Sequence, residues 1–321
     1  MQKNEPPVTV ITITFNLIKN NREVFFRQCL ESIHNQTYKN IEHIIIDGAS
    51  YDGTIDLIKE YSDKSWIKYI SEDDAGIYDA MNKGISLANG KYIAFLNSDD
   101  FYHDPNAVKK SIEALEKSCT DFSYAPVLMV NEDGTKLHYK HPHCTPKIKK
   151  VFFEMPFCHQ SMFVKKDVLT AEGMFDTHLK NAGDYDLLLR LCLKKYNCIL
   201  VEDSFVTFRF GGFSDTNNKQ SINEVASSYY KYYNKLCPIE KKECEKIYCR
   251  GYANIPSKLA SKLKQFIPYF DYGEYLHKIK LIPRIKNNSQ FILEKIYSEI
   301  KLFYFSPKKF IMKYMRYIFH K

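Results

Sequence analysis

The sequence predicts an α/β fold, with a mostly parallel, doubly wound central sheet flanked by helices and a helical C-terminal extension. Three observations carry this prediction. Apolar β-branched runs alternate with amphipathic stretches about every 25 residues as far as residue 117, the rhythm of strand–helix–strand units. The run Ile41–Asp47 (IEHIIID) is apolar almost without interruption, as a parallel strand covered on both faces requires. Residues 92–100 read Tyr-Ile-Ala-Phe-Leu-Asn-Ser-Asp-Asp, so an apolar strand runs into two acids with no turn between. In open α/β sheets, ligands bind at that carboxyl edge.

Val8–Thr14 alternates β-branched residues and reads as the first strand. Residues 23–36 set Val24, Phe25, Cys29, Leu30 and Ile33 at helical spacing. After the second strand, 48–53 is a turn and 54–61 a helix; 66–70 is a third strand. A helix over 77–88 ends at Asn89-Gly90, and 91–96 is the fourth strand. Asp104-Pro105 opens a helix reaching about Lys117, with proline in the favoured first turn. The pattern then becomes mixed. Residues 122–130 and 135–139 flank Asn131-Glu-Asp-Gly134 as a hairpin, 159–165 is a strand, 185–194 a short helix, and 198–210 one or two strands. From about Ser221 the chain is helical, which divides it into a catalytic domain over 1–220 and a basic, aromatic-rich extension over 221–321.

With 321 residues, 45% of them hydrophobic, the chain can bury a sizeable core. The formal charge of +8 is uneven: residues 255–321 carry 14 basic and 4 acidic groups, leaving residues 1–254 at −2. An anionic surface would therefore touch only the tail. Nine cysteines without a CxxC pair read as small buried hydrophobes in a reducing compartment. The first seven residues are polar and contain two prolines, unlike a signal peptide, and no stretch reaches the ~20 apolar residues of a membrane span. The expected location is the cytoplasm. No GxGxxG follows the first strand and no GxxxxGK[ST] occurs, which disfavours dinucleotide and P-loop chemistry.

Five stretches could carry chemistry. Thr14-Phe15-Asn16 follows the first strand, where short polar groups can meet a ligand or simply form a loop. Asp47 ends the second strand, and Ser50, Asp52 and Thr54 behind it suit a helix-capping turn. Three consecutive acids, Glu72, Asp73 and Asp74, precede a glycine and a helix whose free N–H groups could bind phosphate or ribose. In Asn97-Ser98-Asp99-Asp100 the adjacent carboxylates repel unless a cation accompanies them; carboxylates suit Mg²⁺ or Mn²⁺ carried with a phosphorylated ligand. Asp184, at the start of a short helix, is an N-cap or a general base, and Arg190 a site partner or the half of an ion pair. Cys158-His159-Gln160-Ser161 and Phe210-Gly-Gly-Phe-Ser214 are weaker signals.

In order, these pieces resemble the family 2 glycosyltransferases of GT-A fold, bacterial surface-polysaccharide branch. The matching strings are VTVITITFN, IEHIIIDGASYDGT, SEDDAGIYDAMNKGI, GKYIAFLNSDD, CHQSMFVKK, GDYDLLLRL and GGFS, covering roughly residues 7–215. The resemblance implies an inverting, metal-dependent transfer from a UDP-sugar to a glycan or lipid-linked saccharide. It implies that Thr14, Phe15, Asn16, Asp47, Asp73, Asp74, Asn97 and Ser98 hold the donor nucleotide, that Asp99 holds Mn²⁺ or Mg²⁺ and that Asp184 is the catalytic base. Asp100, Tyr78, Asn82, Lys83, His159, Gln160, Arg190, Gly211 and Gly212 are candidate donor or acceptor contacts. Three positions depart from the pattern. Asn97 replaces the first acid of DxD, Gly183 the acid before Asp184, and Met81 an arginine common in relatives. Lys83 or the basic tail would then meet the diphosphate charge.

Two other classes compete. A non-catalytic sugar-nucleotide or glycan-binding module would not need both Asp99 and Asp184. A nucleotidyltransferase needs a glycine-rich basic first loop, which Thr-Phe-Asn-Leu-Ile-Lys is not. Residues 297–321 mix Lys and Arg with Phe, Tyr, Ile and Met, as an interfacial anchor or a soluble helical subdomain would. An anchor would seat the chain peripherally on the inner face of the cytoplasmic membrane. No nucleic-acid recognition motif accompanies the charge.

Overall fold

The computed structural model describes residues 5–136, 142–211, 218–250, 254–266, 269–273 and 275–276. The expected anchor at 297–321 and Gly212 lie outside them. Four strands, β1 (Val8–Thr14), β2 (Ile41–Asp47), β3 (Lys68–Ser71) and β4 (Tyr92–Phe95), alternate with α1 (Glu23–His34), α2 (Thr54–Asp63) and α3 (Ile77–Leu87). All four strands are parallel, with β1 between β2 and β4. Neighbouring residues of one strand point to opposite faces. Val8, Val10, Tyr92 and Ala94 enter one core cluster, and Ile11, Ile93 and Phe95 another. That two-sided burial explains the apolar runs of the sequence.

The register lines up the strand ends. Thr14 pairs with Asp47, Asp47 with Ser71, and Phe95 with Ile11, so the residues that follow share one rim. The rest of the sheet is less regular. After β5 (Phe101–Tyr102) and α4 (Ala107–Ser118), the stretch expected as one strand divides into β6 (Phe122–Tyr124) and β7 (Val127–Val130). They belong to different sheets and are separated by Pro126, which lacks a ladder donor. The hairpin after β7 is present as the Val130–Lys136 bridge; residues 137–139 lie outside the description.

Residues 159–165 begin as a 3₁₀ turn, His159–Ser161, and only then form β8 (Phe163–Lys165). β8 runs antiparallel to β4, with Ala94 opposite Phe163. Its leading end therefore lies beside the trailing end of β4, and His159-Gln160 reaches the rim where Asn97–Asp100 emerges. After α5 (Lys166–Ala171), α6 (Gly183–Leu193), β9 (Cys198–Leu200) and β10 (Val206–Arg209), the large sheet has the order β3-β2-β1-β4-β8-β6-β9; β5-β10-β7 form a small second sheet.

The extension begins with α7 (Asn218–Tyr233), α8 (Lys241–Arg250) and α9 (Ser257–Leu263). The boundary expected at 220 falls inside α7. The bunched tyrosines sort by helical spacing: Tyr229 and Tyr233 are buried and stacked at 4.8 Å, whereas Tyr230 is exposed. Their hydroxyls reach the core, Tyr229 meeting the Tyr185 hydroxyl at 2.5 Å and Tyr233 donating to the Phe152 carbonyl at 2.6 Å. These helices share one apolar cluster with α3 and α6. Among the described residues, no helix is long and apolar enough to cross a membrane.

Candidate active site

The rim begins at Asp47. Its carboxylate is fully buried and accepts from the Thr14 hydroxyl (2.9 Å), the Ser50 hydroxyl (2.6 Å), the Ser50 N–H (2.8 Å) and the Ser71 hydroxyl (2.8 Å). Four donors fill a carboxylate. Asp47 and Thr14 are therefore spent on tying three strand ends together rather than on presenting free groups to a ligand. Asn16, left-handed at φ 48° and nearly buried, plays the same part: its Oδ1 accepts from Tyr51 N–H (3.1 Å) and its N–H donates to the Ser50 hydroxyl (2.8 Å). Phe15, in contrast, is 57% exposed and meets Tyr51, 72% exposed, edge to face at 6.3 Å. Two exposed rings at a strand edge form an apolar platform suited to a planar base.

Across the edge, Asp73 is exposed and Asp74 half-buried, accepting from the Gly76 N–H at 2.8 Å. Lys83 is drawn into this acidic loop: its ammonium donates to the Asp73 carbonyl (2.5 Å) and pairs with Glu72 (3.0 Å). Its charge is already committed there.

Beyond β4, Asn97, Ser98 and Asp99 are half-buried and Asp100 is buried. Asp100 accepts from the Gln160 amide (2.9 Å) and the Arg209 N–H (2.8 Å). Burial, and then the neighbouring charge of Asp99, push its carboxyl well above the usual carboxylate range. Asp100 and Gln160 thus form an internal strut. Asp99 stays at the surface of the rim, where Arg22 donates to its Oδ2 at 3.2 Å; the same guanidinium donates to the Gly211 carbonyl at 2.7 Å and lies 3.4 Å from Glu132.

Among the described residues, no three His, Cys, Asp or Glu side chains converge as a metal cage. A Mg²⁺-type ion needs no such cage when substrate phosphates complete its shell around one or two carboxylates. Asp99, with 18% of its side chain exposed, fits an ion that arrives with a diphosphate and displaces Arg22.

Asp184 stands in the first turn of α6. Its Oδ1 accepts from the Tyr78 hydroxyl (3.2 Å) and the Tyr185 N–H (2.8 Å), and its Oδ2 from His159 Nδ1 (3.1 Å). Burial works against its charge, yet these donors, His159 foremost, prevail and hold its carboxyl below the usual range. Glu224 of α7 fixes the approach to this turn by accepting from the N–H groups of Lys180 (3.1 Å), Asn181 (2.8 Å) and Ala182 (3.0 Å). Asp99 and Asp184 are connected along the rim. Asp99 adjoins Asp100, which bonds to Gln160, and the next residue, His159, bonds to Asp184.

The glycosyl transferase family 2 model matches residues 9–171, just over half of the chain and the stretch that builds the nucleotide edge and the His159 turn. The chain belongs to this family. A glycosyltransferase of Methanocaldococcus jannaschii is 31% identical over 215 residues, 65% of this chain and 72% of the relative. Two solved structures have the same fold. A mannosyltransferase of Pyrobaculum calidifontis, in complex with GDP-Man and Mn²⁺, aligns at TM-score 0.60 and 15% identity over 95% of this chain and 89% of the other. S. aureus TarS 1–349 with UDP-GlcNAc aligns at 0.56 and 15% over 83% and 82%.

The geometry accounts for two departures of this glycosyltransferase from its family pattern. Met81 is buried in the core, where an arginine would lose its hydration. Gly183 faces the Tyr78 ring so closely that a Cβ would lie 2.7 Å from it. That ring is stacked on Phe175 at 5.4 Å and cannot simply swing aside. Gly183→Ala is expected to cost about 1–3 kcal/mol of stability and to loosen the Tyr78–Asp184 bond. Thermal unfolding together with transfer assays would check this, and unchanged values in both would contradict it.

Two candidate contacts of the transferase are used structurally instead. Asn82 makes paired bonds to the Phe175 backbone, both 2.9 Å, which pin α3 to the loop after α5. Arg190 pairs with Asp186 at 2.9 Å and donates to the Glu172 and Met174 carbonyls, facing a cavity of about 530 Å³ lined also by Lys231, Tyr232 and Phe266. Asp186 lies four residues before it on α6, so helical spacing turns both away from Asp184. Tyr51, Arg22 and Glu224 were not singled out from the sequence. Tyr51 lies within the GASYDGT stretch; Arg22 and Glu224 carry no local signature.

Proposed function

We propose that this glycosyltransferase moves a sugar, with inversion, from a UDP-sugar to a hydroxyl of a glycan or lipid-linked saccharide in cell-surface polysaccharide synthesis, assisted by Mn²⁺ or Mg²⁺. The observation that carries the reading is the continuous rim from Asp99 through Asp100, Gln160 and His159 to Asp184. It would set a diphosphate-binding carboxylate and a base on one bound donor. The UDP-GlcNAc held by TarS supports a UDP donor, and the Mn²⁺ of the mannosyltransferase supports a divalent ion.

In this reading the Phe15–Tyr51 platform takes the uracil, and Asp73, Asp74, Asn97 and Ser98 lie around the nucleotide. Asp99 would hold the cation, whose charge would stabilise the departing diphosphate. Asp184 supplies the negative charge on the acceptor side. UDP release from a panel of UDP-sugars, with Mn²⁺ and a saccharide acceptor, tests this directly. Absence of acceptor-dependent release across the panel would reject it. Residues 297–321 would seat the chain on the inner membrane face, each basic residue adding about 1 kcal/mol at an anionic surface. The full chain is expected to float with anionic vesicles and lose that behaviour without 297–321; equal flotation would dismiss the anchor.

A further inference from the structure

We infer that the acceptor hydroxyl gives its proton to His159 Nε2, and that Asp184 acts through this imidazole rather than touching the acceptor itself. The inference rests on the transferase reading above and refines which atom does the work. His159 Nδ1 lies 3.1 Å from Asp184 Oδ2. An ionised carboxylate only accepts, so Nδ1 must carry the hydrogen, and in the neutral ring the lone pair is then on Nε2. Nε2 is buried and has no hydrogen-bond partner among the described residues. An unsatisfied buried polar atom costs about 1–3 kcal/mol, so a bound group is expected there. A lone pair calls for an O–H donor, which a sugar hydroxyl supplies and a phosphate oxygen does not. The ring keeps 20% of its surface open, which gives the hydroxyl a way in.

The carboxylate is less suited to direct contact. Tyr78, Tyr185 and His159 already supply three donors, and these hold its basicity down. The other titratable groups packed here stay neutral: burial raises the Tyr78 hydroxyl on α3 well above its ordinary value and pushes Tyr248 on α8 up to about 12. The arrangement of carboxylate, imidazole and hydroxyl is the one by which a buried aspartate orients a histidine base. In the step itself, the acceptor O–H bond breaks and its proton passes to Nε2. The oxygen forms a bond to the anomeric carbon, and the anomeric carbon–phosphate oxygen bond breaks, its electron pair leaving with the nucleoside diphosphate. The resulting imidazolium faces the Asp184 carboxylate.

His159→Asn separates the roles. Its amide can still donate to Asp184, but nothing stands in the place of Nε2. Transfer by H159N is expected to fall about 10²–10⁴-fold, with UDP affinity within about twofold of wild type and no further loss in H159N/D184N, because the two residues act as a unit. In His159→Ala, added imidazole is expected to restore part of the rate, which also shows that the variant folds. H159N retaining a tenth or more of the wild-type rate would overturn the inference, as would a loss of UDP affinity in proportion to transfer, which would assign the ring to the nucleotide. Wild-type protein without acceptor-dependent UDP release would instead remove the transferase reading, a result distinct from either.

Discussion

Asp184→Asn is expected to reduce transfer by about 10²–10⁴-fold while UDP binds as before. The substitution keeps the volume and still lets an oxygen accept from Tyr78 and the Tyr185 N–H. It replaces the acceptor facing His159 with either an uncharged oxygen or an amide donor, and in the second case the imidazole is turned to the wrong tautomer. In both cases the negative charge that would balance a proton arriving from the acceptor is gone. UDP affinity should not change, because Asp184 makes no contact with Asp99 or the Phe15–Tyr51 platform among the bonds of the rim. Calorimetry with UDP and a transfer assay on the same preparation measure both halves. Ordinary turnover in D184N would remove Asp184 from the chemistry.

The second large effect concerns Asp99. In Asp99→Ala, the gain in UDP affinity that Mn²⁺ confers over EDTA is expected to disappear, a loss of about tenfold or more. The fold should tolerate the change. The Arg22–Asp99 pair is partly exposed and is worth about 0–1 kcal/mol, and Arg22 retains the Gly211 carbonyl and Glu132 as partners. Removing the Asp99 charge also relieves the neighbour that raises Asp100. If Mn²⁺ still sharpens UDP binding in D99A, the cation is held elsewhere.

The parallel half of the sheet was legible because its signal is local. β1, β2 and their helices follow from apolar runs and helical spacing, and the acids at strand ends follow from where those runs stop. Asp99 and Asp184 could be singled out for the same reason. What the sequence concealed depends on partners far along the chain. Asp47 resembles a ligand-binding acid until Thr14 and Ser71 close around it. Arg22 meets Asp99 across 77 positions. β8 is three residues long, too short for periodicity to reveal that it runs against β4, and only that reversal brings His159 and Gln160 to the rim. Arg190 and Asn82 looked available because an ion pair within one helix and a side-chain clasp on a distant backbone leave no trace in a motif.

Glu224 gives the extension a second meaning. Its carboxylate gathers three consecutive backbone donors immediately ahead of Asp184, yet it belongs to a helix beyond the stretch that the family model covers. The catalytic machinery is therefore not self-contained within residues 9–171. A truncation at residue 220 would amputate the buttress that aims the acidic end of α6, and would bare Tyr185 where Tyr229 now seals it. Aim at the acceptor and integrity of the tail helices are, in this enzyme, one mechanical property.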